Sequence, residues 1–239
     1  MAKLVGLSGS LRAASFNTGL LRAAAELVPE GSSLTVATPE GIPLYNADLE
    51  REAGMPEAVE RLKAHIIAAD ALLLATPEYN NGIPGVFKNA IDWLSRPPSD
   101  MARVFAGRPV AVIGASPGGL GTVLAQAAWL PVLRTLGTRP WFGGRLMVSR
   151  AGSAFDEAGN LTSPEIRTQL QAFLAGDREN LEWWVELYRQ TLPLKVGGLT
   201  GEQLGNFPQA FSHLTLIGAA YALRDAEART AATRQGESA

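Results

Sequence analysis

No cysteine occurs anywhere in the 239 residues. That one absence removes disulfides, thiolate nucleophiles, iron–sulfur clusters and every cysteine-based zinc site. Histidine is nearly absent as well: His65 and His213 are the only two, and neither sits in a zinc-binding pattern such as His-Glu-x-x-His. If such a chain does redox chemistry, an organic cofactor must carry the electrons. Net charge is small, with 21 Lys and Arg against 23 Asp and Glu giving a formal −2, so nothing at long range favours nucleic acid or an anionic membrane as partner. Small molecules are the expected ligands. No apolar run approaches the ~20 residues needed to cross a bilayer. Met1 to Ser8 runs almost directly into strand-like Leu4-Val5-Gly6-Leu7, without the basic region, apolar core and cleavage site of a secretory signal. The expectation is a soluble cytoplasmic protein.

What the chain does have is a regular alternation. Hydrophobic residues make up 46% and charged ones 18%, the balance of a globular protein with a substantial core. Short β-rich apolar runs predict strands at Lys3–Leu7, Ser33–Ala37, Ala71–Ala75, Pro109–Gly114 and Arg145–Ser149. Helices are predicted at Thr18–Leu27, Pro56–Ala69, Pro84–Ser95, Gly121–Leu136 and Pro164–Gln190. This order implies right-handed crossovers and an open, doubly wound parallel sheet covered on both faces, an α/β fold. Ala71 to Ala75 is apolar at every position, as a central strand buried on both sides should be. No internal repeat is present.

In such sheets ligands bind at the carboxyl ends of strands, and three unusual loops fall there. The first, Ser8 to Asn17, is rich in hydroxyls and holds one arginine. A phosphate placed in it would meet Ser8, Ser10, Ser15 and Asn17 as donors, the N–H groups at a helix start, and the Arg12 guanidinium. An ordinary capped turn would use the same residue types. Gly-x-x-x-x-Gly-Lys-[Ser/Thr] and Gly-x-Gly-x-x-Gly are both missing, which disfavours a nucleoside-triphosphate loop and a dinucleotide fingerprint. The second loop, Thr76 to Gly85, is stiffened by Pro77 and Pro84, while Asn80, Asn81 and Gly82 suit the positive φ angles of tight turns. Its backbone can approach a flat ligand closely, with Tyr79 packing near a ring. The third, Gly114 to Gly121, contains Ser116, Gly118 and Gly119 and opens a helix. Either of these loops alone also reads as a plain turn.

Taken together and in order, Ser8-Gly9-Ser10-Leu11-Arg12 with Ser15 and Asn17, Thr76-Pro77-Glu78-Tyr79-Asn80, and Pro84-Gly85-Val86-Phe87-Lys88-Asn89-Ala90-Ile91-Asp92-Trp93-Leu94 resemble the NADPH-dependent FMN reductases. Within them the likeness is to the quinone and chromate reductases, with azoreductases nearby. It spans roughly residues 3–190. The resemblance implies a flavodoxin-like five-stranded sheet, non-covalent FMN, NADPH or NADH as co-substrate, and a homodimer or homotetramer. By position, Ser8, Ser10, Arg12, Ser15 and Asn17 would hold the FMN phosphate. Pro77, Glu78, Tyr79, Asn80, Asn81 and Gly82 would line the flavin ring, and Ser116, Gly118 and Gly119 would lie at its pyrimidine side. Glu78 could touch the nicotinamide or the acceptor, or simply brace its loop. In the helix Pro84–Ser95, Val86, Phe87, Ala90, Ile91 and Leu94 should face the core or a partner, whereas Lys88, Asn89 and Asp92 could reach across an interface.

The domain expectation is a flavin-binding reductase domain over residues 1–190 and an extension over 191–239, partly helical, with Ala231 to Ala239 disordered. Leu199 to Leu223 resembles the carboxyl end of glucoamylase-like glycosidases. Those enzymes need a helical barrel and a carboxylate pair that nothing else here could supply, so the extension is read as a remnant, a fusion product or a packing segment, with Phe207, Phe211, Leu214, Leu216, Ile217, Tyr221 and Leu223 packing on the reductase. The expected activity is ping-pong electron transfer from NAD(P)H through FMN to a small acceptor such as a quinone, chromate, an azo compound or free flavin, with no metal and no side chain needed as acid or base. The alternatives are an FMN electron carrier or sensor that does not turn over pyridine nucleotide, and a binding module whose extension recruits a partner.

Overall fold

A computed structural model of the chain describes residues 2–175. All five predicted strand regions contain strands, and two further helices and one further strand appear. The described elements are β1 (Lys3–Ser8), α1 (Phe16–Leu27), β2 (Ser33–Ala37), α2 (Ala47–Ala53), α3 (Glu57–Ile67), β3 (Ala71–Ala75), α4 (Gly85–Leu94), α5 (Pro98–Val104), β4 (Pro109–Ala115), α6 (Val123–Thr135), β5 (Arg139–Pro140), β6 (Met147–Val148) and α7 (Pro164–Ala175). The strand order is β2-β1-β3-β4-β5, and β6 also pairs with β4. All pairings are parallel. This is the flavodoxin-like order with its switch point between β1 and β3.

Alternation along each strand splits the apolar residues between two cores. Leu72 and Leu74 join Val5, Leu7, Phe87, Trp93, Trp129 and Leu133 on one face of the sheet. Leu73 and Ala75 join Leu20, Leu21, Ala24, Ile113, Leu170 and Phe173 on the other. Helices α3 to α6 cover the first face and α1 with α7 the second.

The sheet edge beyond β4 departs from expectation. Instead of one strand over Arg145–Ser149, two short strands share that edge: Arg139 and Pro140 pair with Pro109 and Val110, while Met147 and Val148 pair with Gly114 and Ala115. Between them the Trp141 ring packs edge-on against Phe173 at 4.9 Å and lies where a side chain at Gly143 or Gly144 would be. Helix α6 begins at Val123 rather than at Gly121, since Gly121 has φ +62° and cannot be helical.

Helix α4 buries Phe87, Ala90, Ile91, Trp93 and Leu94. The polar residues expected to reach across an interface have partners within the chain: Lys88 pairs with Asp92 at 2.6 Å, and the Asn89 carboxamide accepts from the Tyr45 N–H and donates to the Pro43 carbonyl, both at 2.8 Å. No described helix is long and apolar enough to cross a membrane. The expectations for Pro164–Gln190 beyond Ala175 and for the extension over 191–239 lie outside the described residues.

Candidate functional site

The three loops start side by side because their strands are in register: Ser8 lies opposite Ala75, and Ala75 opposite Ile113. Pairing continues one residue into each loop, with Gly9 N–H donating to the Ala75 carbonyl (2.9 Å), Thr76 N–H to Ile113 (2.9 Å) and Ser116 N–H to Val148 (3.0 Å).

In the β1–α1 loop, Ser8, Ser10, Ser15 and Asn17 are all buried, while Arg12 is exposed. The Ser10 hydroxyl oxygen accepts the Arg12 N–H at 3.2 Å and the Ser15 hydroxyl oxygen accepts the Thr18 N–H at 3.3 Å, so both hydroxyl protons remain available to donate outward. Ser15 is the N-cap of α1. Ser8 shares a hydrogen bond with Thr18 at 2.8 Å. Among the described residues, the main-chain N–H groups of Leu11, Ala13, Ala14, Phe16 and Asn17 have no acceptor. Hydroxyl donors, five free N–H groups, a helix N-terminus and an arginine in the same loop fit a phosphate monoester. The capped turn and the set of donors that fits a phosphate are therefore one structure.

Asn17 has a second task. Its Nδ2 donates to the Ala115 carbonyl at 2.8 Å and its Oδ1 accepts the Ala115 N–H at 2.9 Å, leaving one N–H for a ligand. This bond ties the first loop to the third.

The β3–α4 loop turns through Asn80 and Asn81, with φ of 50° and 62°. Tyr79 and Gly82 exchange both main-chain hydrogen bonds across them, at 3.2 and 3.0 Å, which makes a two-residue hairpin with both central residues left-handed. Gly82 itself is not at positive φ, contrary to expectation. Pro77 is buried; Tyr79, Asn80 and Asn81 are exposed. Glu78 braces its loop: its Oε2 accepts the N–H groups of Leu124 and Ala125, each at 2.9 Å, capping α6 in place of Thr122, whose side chain makes no cap. The second and third loops are thereby joined.

The first and second loops meet at Gly9, where a Cβ would run into Phe87 and Pro77. In the third loop Ser116 is buried and its hydroxyl accepts the Gly118 N–H at 3.2 Å. Arg150, at φ 48°, closes this loop by donating its N–H to the Gly118 carbonyl at 3.0 Å. Gly118 and Gly119 are exposed, without positive φ. Each loop also carries one large apolar residue out to solvent: Leu11, Tyr79 and Leu120. The sequence pattern did not single out Thr18, Thr122, Gly9 or Arg150. Only the glycine could have been found, as a residue without a side chain between two hydroxyls.

No cluster of three or more metal-ligating side chains exists among the described residues.

Residues 2–153 match the family described as NADPH-dependent FMN reductase. An NAD(P)H-dependent FMN reductase of Pseudomonas aeruginosa is 46% identical over 187 residues, covering 78% of this chain and 97% of its own. A 2-hydroxy-1,4-benzoquinone reductase of a Burkholderia species is 38% identical over 172 residues, covering 72% and 92%. Among solved structures, the flavoenzyme NAD(P)H:(acceptor) oxidoreductase of Paracoccus denitrificans superimposes with a TM-score of 0.65 at 33% identity, over 80% of this chain and 98% of that one. The fold, the three joined loops and these likenesses agree, and the chain belongs to the NADPH-dependent FMN reductase family.

Proposed function

We propose that this chain is an FMN-dependent NAD(P)H oxidoreductase that passes electrons by ping-pong exchange to a small acceptor. The observation that carries the proposal is the cradle of buried hydroxyls and unbonded N–H groups at the start of α1, joined to the two neighbouring loops. Ser8, Ser10, Arg12, Ser15 and the remaining Asn17 N–H hold the phosphate. Pro77 to Gly82 line the ring, and Ser116, Gly118 and Gly119 meet its pyrimidine edge. FMN, when bound, would supply the two-electron chemistry between NAD(P)H and the acceptor. The protein's part is to anchor, to aim donors at the ring edge and to leave one face open; no side chain acts as acid or base. The exposed Leu11, Tyr79 and Leu120 support an apolar, flat acceptor. A quinone is favoured by the activities of the relatives, with chromate, azo compounds and free flavin as further substrates.

The proposal extends to a cytoplasmic homodimer or homotetramer, supported by the exposed Val123, Leu124 and Leu130 of α6; light scattering reads it. Residues 191–239 supply no site residue to this proposal. Purified protein should show a flavin absorption spectrum that bleaches with anaerobic NADPH, release FMN on heating, and oxidise NADPH faster when a quinone is added. Release of FAD, or no flavin after reconstitution, refutes it. FMN without NADPH oxidation would make the protein a carrier or sensor.

A further inference from the structure

The Arg12 guanidinium rests on the first of two aromatic rings that pack against each other. The Arg12 guanidinium carbon lies 4.5 Å from the centre of the Phe16 ring. Phe16 in turn meets Phe155 at 5.1 Å between ring centres, with the planes tilted by 36°. Arg12 is exposed and its side chain is long, so nothing else among the described residues restricts where its head points. Stacking on a ring face restricts it while leaving the in-plane N–H donors free at the edge.

Phe155 is 6% exposed and belongs to a tight hairpin. It bridges to Leu161, and the Asp156 carboxylate accepts the Asn160 N–H at 2.7 Å and the Asn160 side-chain N–H at 3.0 Å. The tip of this hairpin is pressed onto α1. A Cβ on Gly159 would come within 2.8 Å of the Ala14 carbonyl carbon, and one on Gly19 would run into the Gly159 carbonyl. Arg22 adds bonds to the Gly159 carbonyl at 3.0 Å and to Asn160 Oδ1 at 3.2 Å. The hairpin therefore has no slack relative to the first turn of α1, and Phe155 backs Phe16 firmly.

We propose that Phe16, and through it Phe155, are positioning residues that aim the Arg12 guanidinium at the phosphate of FMN. This rests on the reading of the β1–α1 loop as the phosphate site. In this role the rings act by limiting the orientations of Arg12.

The test is the affinity of the full chain, stripped of flavin, for FMN and for riboflavin, read by quenching of flavin fluorescence. Arg12→Ala should weaken FMN by about 10-fold or more, as expected for loss of a charge-assisted hydrogen bond, with riboflavin unchanged. Phe16→Leu should weaken FMN by about 2- to 5-fold, the range of an exposed cation–π contact, and Phe155→Leu by less, again sparing riboflavin. Phe16→Tyr, which keeps the ring, should restore FMN affinity. In the Arg12→Ala background neither ring substitution should alter FMN affinity further. Equal losses for both flavins, an FMN loss that persists without Arg12, or unchanged FMN affinity in folded variants would each overturn the inference. If Phe155→Leu does not fold, Phe16→Leu with Phe16→Tyr decides. Wild-type protein that binds riboflavin as tightly as FMN would remove the phosphate reading itself, whereas a selective loss in Arg12→Ala with insensitive ring variants would sink the inference alone.

Discussion

Asn17 grips the main chain of Ala115, accepting its N–H at 2.9 Å and donating to its carbonyl at 2.8 Å, so the first turn of α1 is fastened to the last residue of β4. Both groups of Ala115 are buried. Asn17→Ala leaves them unsatisfied and should cost about 2–3 kcal/mol in urea unfolding. FMN affinity should fall with it, because the first and third loops lose their shared bond. Unchanged stability would mean that the loops are held together by other contacts.

Glu78 separates two roles that look alike in a sequence. As a cap on α6, Glu78→Ala should cost about 1 kcal/mol, a typical cap loss, whereas Glu78→Gln keeps an acceptor oxygen and most of that stability. Thermal melting of both variants checks this. If Glu78→Gln melts normally and binds FMN normally but loses NADPH oxidation, the carboxylate acts on the substrates and not on the helix.

Lys63 is 2% exposed and its ammonium donates to the Arg96 carbonyl and to Asp100 at 3.0 Å. It links α3 to α5 on the face away from α1. Lys63→Met should lower unfolding free energy by roughly 1–3 kcal/mol, since the carbonyl loses its donor while the partly open Asp100 can be resolvated. The FMN-to-riboflavin affinity ratio should not move. A change in that ratio would place this pair in communication with the site.

Acid should weaken the fold through three carboxylates held below their ordinary range. The Arg96 hydrogen bond lowers Glu50, the Lys63 hydrogen bond lowers Asp100, and the Asn160 main-chain hydrogen bond lowers Asp156. A carboxyl group whose folded pKa is depressed stabilises the fold above its unfolded pKa, and that contribution is lost as pH falls through the folded value. Urea midpoints should therefore be level across neutral pH and drop through and below the carboxylate range. Asp156→Asn should flatten part of that drop, and a midpoint that rises on acidification would contradict the assignment.

Much of the fold was legible because it is written locally. Strand-length apolar runs, with the all-apolar Ala71–Ala75 at the centre, state the layers, and hydroxyls, asparagines and glycines after three of those strands mark the loops that the structure brings side by side. Helices α2 and α5 escaped because seven residues are too few to display a helical period. The two-part edge of β4 escaped because β5 and β6 are two residues each, too short to show an alternating pattern.

The sequence by itself determined the α/β class, the three loops and the residue types available to a phosphate and a flat ring, since these follow from periodicity and from which side chains can donate. Only the tertiary structure decided what else those residues do. Asn17 and Ala115 are 98 positions apart, and Glu78 and Leu124 are 46 apart; no local pattern can reveal that one loop caps or fastens the next. Those bonds exist because parallel pairing sets three strand ends side by side, and buried polar groups brought together there satisfy one another before any ligand arrives.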